Sequence, residues 1–394
     1  MSVAEPPLAG LKVVEFTHMV MGPAVGVILG DLGAEVIKIE PIGGDHTRKL
    51  LGSGAGYFPM FNRNKESICL DLKSPEGLAL ARRLIDQADV VIENFRTGAL
   101  AKMGLDYETL SASNPGLIYC SAKGFLEGPY EHRTALDEVT QMMGGLAYMT
   151  GPPGRPLRAG SSVVDITGGM FGVVGVLAAL ERRRRTGKGG EVKCALYETT
   201  AFLVGQHMAQ KAVTGVAAAP MPARISAWAI YDVFETTREG EPVFVGVVSD
   251  TQWKIFCRTL ELHDLIDNPD YAANNQRVQA RDVLLPRVRA LFGAMPREDL
   301  IAKLEEMGLP FAPIARPEDL FEDPHLTQSG GLLDVTIPGG ERTSLPALPV
   351  SLDGERMGLH HDLPLPGADA DRILERLGLS QEDIQTLREK RVVD

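Results

Sequence analysis

The chain has 394 residues, more than a single hydrophobic core normally holds, so its length predicts two domains. Hydrophobic residues make up 44% and charged residues 23% of the sequence, as is typical of a soluble globular protein. The net charge of −12 argues against general affinity for nucleic acid or for anionic membranes, so we expect neither as a partner.

Short apolar strands alternate with helical segments over the first half of the chain. The pattern predicts strands at 11–16, 34–40, 67–72, 88–95 and 116–125, and helices at 22–33 and 75–87. Continuous apolar strands separated by helices indicate an α/β fold with a parallel sheet that is covered on both faces. Such sheets bind ligands at the carboxyl ends of their strands.

The composition changes near residue 205, where small residues and prolines begin to accumulate. A new succession of strands and helices follows, including a strand at 243–250. We therefore predict a large domain over 1–205, a linker over 206–227, a small α+β domain over 228–329, and a segment over 330–394 that returns to the large domain. The last part of that segment reads as a charged amphipathic helix.

The four cysteines are scattered through apolar stretches and show no CxxC spacing: Cys69, Cys120, Cys194 and Cys257. We expect them to be reduced core residues of a cytoplasmic protein, and we expect no metal site. The N-terminus lacks the basic and then apolar pattern of a signal peptide. The longest apolar run, 170–180, is too short to span a bilayer.

Residues 18–40 invite comparison with a dinucleotide-binding unit, because a turn, a helix and a strand ending in Glu40 follow one another. The GxGxxG pattern is absent. Gly22, Gly26 and Gly30 instead share one helix face, where they permit close packing. A dehydrogenase thus has little support, and neither a GxSxG elbow nor a P-loop is present.

Asp165 precedes a Gly-rich stretch in which no ionisable side chain returns until Glu181. The ordinary interpretation is helix capping, since a carboxylate accepts hydrogen bonds from the free N–H groups at a helix start. A catalytic carboxylate is the alternative. The local sequence does not decide between the two.

Several stretches together carry a family resemblance. They are GLKVVEFTHMVMGP (10–23), FNRNKESICLDLKSPEG (61–77), ADVVIENFRTGALAKMGL (88–105), CSAKGFLEGPY (120–130), SSVVDITGGMFGVVGVLAALERRRRTGKG (161–189) and PFAPIARPEDLFEDPHL (310–326). From about residue 8 onward the chain resembles the family III CoA-transferases, which include formyl-CoA and carnitine CoA-transferases. The resemblance implies a Rossmann-like large domain, a smaller domain and an interlocked homodimer.

The resemblance also implies a catalytic role for Asp165, which matches the family nucleophile. In that chemistry the aspartate exchanges CoA between two acids through an aspartyl-CoA thioester. The helix N-terminus would keep Asp165 ionised, and Gly168 and Gly169 would leave room for acyl groups. No metal or redox cofactor is implied, because the coenzyme A thioester is itself a substrate.

Further site residues follow from the matching motifs. The residues expected to contact substrate or CoA are His18, Met19, Val20, Asn94, Phe95, Lys102, Lys123 and Leu136. Asp137 matches an acidic family position and is given a supporting role, with a structural salt bridge as the alternative. The related racemases carry a histidine where this chain has Leu136, which cannot move a proton.

At two positions the chain differs from formyl-CoA transferase in a way that bears on the substrate. Formyl-CoA transferase has a glutamine at the position of Val20 and a CoA-binding arginine at that of Pro41. These differences argue against formyl and oxalate as the substrate pair. We expect succinyl-CoA as donor and a C4–C5 dicarboxylate such as itaconate, mesaconate, malate or glutarate as acceptor.

Arg224 is predicted to hold the distal carboxylate of that acid, with a surface linker arginine as the alternative. A 2-methylacyl-CoA racemase and a non-catalytic CoA-binding protein are the competing functions. Leu136 argues against the first of these and Asp165 against the second.

Overall fold

The computed structural model describes residues 5–224 and 226–394. The strands are β1 Lys12–Phe16, β2 Glu35–Glu40, β3 Lys65–Cys69, β4 Val90–Glu93, β5 Ile118–Lys123, β6 Gly190–Ala195, β7 Tyr231–Phe234, β8 Val243–Gly246, β9 Phe311–Pro313, β10 Leu332–Thr336, β11 Arg342–Pro346, β12 Ser351–Leu352 and β13 Glu355–Arg356. The helices are α1 Met21–Asp31, α2 Tyr57–Phe61, α3 Pro75–Asp86, α4 Tyr107–Ser113, α5 Asp137–Met143, α6 Leu146–Thr150, α7 Val163–Thr186, α8 Leu196–Leu203, α9 Gly205–Thr214, α10 Asp250–Thr259, α11 His263–Ile266, α12 Asn274–Gln279, α13 Arg281–Gly293, α14 Arg297–Glu306, α15 Pro324–Gln328, α16 Ala370–Arg376 and α17 Gln381–Glu389.

The described residues form two units. The large unit contains the residues up to Pro222 together with Pro324–Asp394, and the small unit contains Ala223–Asp323. The C-terminal segment thus belongs to the large unit from residue 324 onward.

The large unit is built on a parallel sheet with the order β3-β2-β1-β4-β5-β6, six strands within the described part of the chain. This is the strand order of the Rossmann fold, in which the chain reverses its direction of travel between β1 and β4. Alternate residues of each strand face opposite layers. Val13 packs with α1 and α7, while Val14 packs with α3 and the C-terminal helices. The predicted α/β fold with a covered parallel sheet is confirmed.

Helix α7 extends over 24 residues, so the apolar run is part of a longer helix than its sequence suggested. By length and composition α7 could cross a membrane. One side of it packs against α1 and against strands β5 and β6. Its own glycines allow this approach, as described below.

The small unit contains the antiparallel sheet β7-β8-β9 and helices α10–α14. Its separate core includes the aromatic side chains of Phe234, Trp253, Phe256 and Phe292. The unit therefore has the α+β composition that its sequence predicted.

Two segments differ from the sequence-based prediction. Residues 206–214, assigned to the linker, belong to helix α9, which ends only at Gly215, with φ of +73°. The predicted single C-terminal helix is two helices. Gly378, with φ of +85°, follows α16, and the Ser380 side chain caps α17.

Candidate active site

A cavity of about 240 Å³ opens at the carboxyl ends of the central strands of the large unit. Residues that follow β1 and β4 contribute to its wall, so it lies at the point where the strand order reverses, as ligand sites of such sheets do. The lining residues are His18, Met19, Val20, Met21, Tyr57, Asn94, Ala122, Lys123, Gly124, Ala135, Leu136, Asp137, Glu138, Arg158, Ser162, Asp165 and Leu196. Six of the predicted substrate or CoA contacts and both predicted carboxylates are therefore brought together, whereas Phe95 is not part of the wall.

The turn after β1 is held in place by its neighbour across the sheet. The backbone N–H of His18 donates to Asn94 Oδ1 at 3.0 Å, and Asn94 Nδ2 donates to the carbonyl oxygen of His18 at 2.8 Å. Partial removal of the His18 ring from water lowers its pKa, so this imidazole is neutral at pH 7. The ring of Phe95 lies 5.5 Å from it, centroid to centroid.

A buried charge network supports the same turn from below. Lys38, fully buried, donates to the carbonyl oxygen of Thr17 at 2.6 Å and lies 3.2 Å from Asp45. Met19 has a φ of +62°, unusual for a residue with a side chain, and its N–H donates to Thr47 Oγ1 at 3.0 Å. Sequence reasoning missed Lys38, although a lysine inside an apolar strand was a visible signal of a buried partner.

Asp165 lies in the first turn of α7, after the N-terminal residues Val163 and Val164. Its side chain does not cap the helix, so the capping interpretation is wrong. Burial, followed by the negative charge of Asp137, raises the pKa of Asp165 to about 7. The expectation that the helix N-terminus would keep Asp165 firmly ionised is therefore also wrong.

The capping group of α7 is Asp137, which comes from the start of α5. Asp137 Oδ2 accepts the backbone N–H of Val164 at 2.9 Å and that of Asp165 at 3.2 Å. Its other oxygen accepts Gln141 Nε2 at 2.6 Å and lies 3.3 Å from Arg158. Because these helix N–H groups point at Asp137, they do not stabilise the carboxylate of Asp165.

The glycines that follow Asp165 face α1 and are not part of the cavity wall. A Cβ on Gly168 would lie 2.8 Å from Met21 Cε, and one on Gly169 would lie 2.9 Å from the carbonyl oxygen of Met21. The expectation that Gly168 and Gly169 make room for acyl groups is therefore wrong. They let α7 approach α1, which sets Asp165 beside the turn that carries His18.

The other predicted residues are distributed as follows. Lys123 pairs with Glu93 at 2.6 Å and donates to the carbonyl oxygen of Phe95, so its charge is already balanced. Val20 is buried, and Leu136 is 58% exposed at the cavity, where it supplies no ionisable group. Lys102 is exposed on a short 3-10 helix outside the cavity wall.

Arg224 belongs to the small unit, and its predicted role as a carboxylate clamp stays a prediction. The structure adds Arg158, Tyr57, Ser162 and Glu138 to the cavity wall. Ser162 lies in the motif that contains Asp165 but was given no role there, and no motif identified the other three, because their approach to Asp165 depends on tertiary packing. Residues 5–224 and 226–394 contain no cluster of three or more His, Cys, Asp or Glu side chains suited to a metal ion.

A half-buried carboxylate with a pKa near 7, in a small cavity beside a helix turn, is suited to nucleophilic attack on an activated acyl group. The sequence matches CoA-transferase family III over residues 8–370.

Two relatives and one solved structure illustrate the match. The chain is 34% identical over 375 residues to the succinate–glutarate CoA-transferase of Agrobacterium fabrum, covering 92% of this chain and 93% of that one. It is 35% identical over 356 residues to the acetyl-CoA:oxalate CoA-transferase of Acetobacter aceti, with 88% and 90% covered. A CAIB/BAIF family protein from Brucella suis superposes with a TM-score of 0.83 at 35% identity, with 95% and 100% covered. The chain therefore belongs to CoA-transferase family III and is a CoA-transferase.

Proposed function

We propose that this enzyme moves CoA from succinyl-CoA to a C4–C5 dicarboxylic acid through a thioester formed on Asp165. The observation that carries the proposal is the position of Asp165 in the cavity at the strand-order reversal. Both relatives described above are named for dicarboxylate substrates, glutarate and oxalate. The cavity, at about 240 Å³, is below the roughly 300–1,000 Å³ of sites for drug-sized ligands and suits a short acid.

The reaction would proceed in two matched halves. The Asp165 carboxylate attacks the thioester carbonyl of succinyl-CoA, which forms a mixed anhydride and releases CoA thiolate. The thiolate attacks the aspartyl carbonyl of the anhydride, giving the Asp165–CoA thioester and free succinate. The acceptor carboxylate then attacks this thioester, and the released thiolate attacks the acceptor's acyl carbonyl, which regenerates Asp165.

The environment of Asp165 suits these steps. A pKa of about 7 leaves a substantial ionised fraction at neutral pH while keeping the carboxylate more nucleophilic than an ordinary, more acidic one. Coenzyme A enters as a substrate, and the scheme calls for no metal or redox cofactor. Asp137 supports the reaction by fixing the start of α7.

Contacts with CoA are proposed for residues at the carboxyl ends of β1 and β4. His18, Met19 and Val20 line the cavity beside Asp165, and Asn94 orients the His18 backbone. Phe95 packs on His18, and Lys102 follows seven residues later with an exposed cationic side chain. We propose that this surface carries the nucleotide portion of CoA.

We also propose an interlocked homodimer in the cytoplasm. Apolar side chains on α7 and α8 are strongly exposed on the single chain, including Met170 at 52%, Val174 at 61% and Phe202 at 73%. Exposed apolar surface of this kind favours association. The four cysteines are buried and unpaired, in keeping with a reducing compartment.

The function is tested by incubating the purified enzyme with succinyl-CoA and one acid at a time. Mass spectrometry of the CoA products should detect the new acyl-CoA together with free succinate for glutarate, itaconate, mesaconate or malate. Hydrolysis of succinyl-CoA with no acyl-CoA product from any of these acids would contradict the proposal.

A further inference from the structure

We infer that Arg158 binds the free carboxylate of the substrate acid and thereby makes the enzyme select dicarboxylic over monocarboxylic acids. The inference rests on the proposed function and names a residue that the sequence motifs did not. Arg158 lies in the wall of the same cavity as Asp165, and its side chain is about one-third exposed, so a ligand in the cavity can reach it.

The charge balance of the cavity calls for such a contact. Three carboxylates line it, those of Asp137, Glu138 and Asp165. A dicarboxylate that reacts at one end keeps a second negative charge at the other. Placed in this cavity without a cation, that charge would be repelled by the lining carboxylates and would lose its hydration.

Arg158 is the better of the two cations that the described residues contribute to the cavity wall. The other, Lys123, is held by Glu93 at 2.6 Å and by the carbonyl oxygen of Phe95 at 2.8 Å. His18 is neutral at pH 7, because its pKa is lowered by desolvation. The guanidinium of Arg158 is therefore the positive group that is available to a substrate carboxylate.

The present contacts of Arg158 leave donors for a ligand. Its Nε donates to the carbonyl oxygen of Ala159 at 3.1 Å. Nη2 lies 3.3 Å from Asp137 Oδ1, which already accepts a shorter bond from Gln141, and Nη1 lies 3.9 Å from Glu138. A guanidinium carries five N–H donors in a planar fork that matches a carboxylate, so a bidentate contact with substrate is open to it.

The same contact serves both halves of the reaction. Succinyl-CoA and the acceptor acid each carry one free carboxylate when the other end is at Asp165. A single fixed cation can hold both in turn, because they occupy the cavity one after the other. The distance from Arg158 to the reacting carbonyl would then favour acids of a certain length.

The test compares Arg158→Gln and Arg158→Lys with wild type, using glutarate and pentanoate as acceptors of equal carbon number. In this double-displacement scheme kcat/KM for the acceptor reports only the second half-reaction, so altered donor binding does not confuse it. We expect Arg158→Gln to lower kcat/KM for glutarate by roughly 10- to 100-fold, mainly through a higher KM. For pentanoate, kcat/KM should change by less than about twofold. In Arg158→Lys, kcat/KM for glutarate should lie between the wild-type value and that of Arg158→Gln, since lysine keeps the charge but lacks the planar fork of N–H donors.

Arg155→Gln is the matched control, because Arg155 is exposed in the same loop, is not in the cavity wall and loses the same charge. It should behave as wild type. Equal losses for both acids in Arg158→Gln, or an unchanged preference for glutarate, would overturn the inference while wild-type transfer still supported the proposed function. Failure of the wild-type enzyme to transfer CoA to glutarate or any other dicarboxylate would instead overturn the proposed function and the inference with it. Circular dichroism confirms folding of each variant, and Arg158→Lys decides alone if Arg158→Gln does not fold.

Discussion

The carboxylate of Asp137 accepts the backbone N–H of Asp165 at 3.2 Å, so one acidic residue fixes the backbone of the other. The bond has two consequences. It satisfies N–H groups at the start of α7 that would otherwise lack partners, and it brings a second negative charge close to Asp165. Asp137 therefore fixes the backbone position of Asp165 and, after burial, is the second cause of its raised pKa.

The first prediction concerns pH. Because burial and the charge of Asp137 raise the pKa of Asp165 to about 7, kcat/KM for succinyl-CoA should rise about tenfold per pH unit below 7 and level off above it. Initial rates measured between about pH 5.5 and about pH 8.5 check this profile. A rate that stays flat down to the lower limit would mean that Asp165 ionises as an ordinary carboxyl group.

The second prediction concerns Asp137. Replacing it with asparagine keeps an oxygen that can accept the α7 N–H groups but removes the charge that raises the pKa of Asp165. In Asp137→Asn the acid limb of the profile should therefore move to lower pH. Loss of the donated bond from Gln141 should also reduce kcat. Glu138→Gln is the control, because it removes the charge of the next residue, which is exposed and makes no bond to α7. Its acid limb should stay at the wild-type pH. An acid limb that moves to higher pH in Asp137→Asn would contradict the assigned electrostatic role.

The third prediction concerns stability. The folded-state pKa of Asp165 is raised from 3.8 to about 7, so its contribution to stability is full below the unfolded-state pKa and is lost as pH rises through about 7. At about 1.4 kcal/mol per pKa unit, ionisation costs up to about 4 kcal/mol above that pH. Asp165→Asn, which cannot ionise, should therefore gain stability relative to wild type between about pH 5 and about pH 8.

Thermal unfolding at the two pH values measures this difference directly. Other titrating groups are common to both proteins, so the change in the Tm difference isolates Asp165. A Tm difference that is the same at both pH values would contradict the raised pKa.

The fourth prediction separates two arginines. If Arg158 holds the free carboxylate, then Arg224→Ala should change KM for glutarate by less than about twofold. The sequence-based prediction for Arg224 is a rise of roughly ten- to a hundredfold with little change for a monocarboxylate. The same acceptor assay decides between them. A large, glutarate-specific effect of Arg224→Ala would restore the sequence-based assignment.

The parallel sheet could be predicted from the sequence because its strands are continuous apolar runs, and the position of Asp165 followed from the family resemblance. The capping of α7 by Asp137 could not be predicted, because Asp137 and Asp165 are 28 residues apart and meet only through the packing of α5 on α7. The position of Arg158 in the cavity wall could not be predicted for the same reason. A basic residue in an irregular loop carries no periodicity and no motif, and its importance depends on which carboxylates surround it.

Isolation of the covalent intermediate tests the proposed role of Asp165 most directly. Incubation with succinyl-CoA in the absence of an acceptor, followed by trapping with hydroxylamine and peptide mapping by mass spectrometry, should mark Asp165 and release free CoA. Asp165→Asn should give no label and no transfer while remaining folded. A label on another carboxylate, or transfer that persists in Asp165→Asn, would contradict the assignment of Asp165 as the nucleophile.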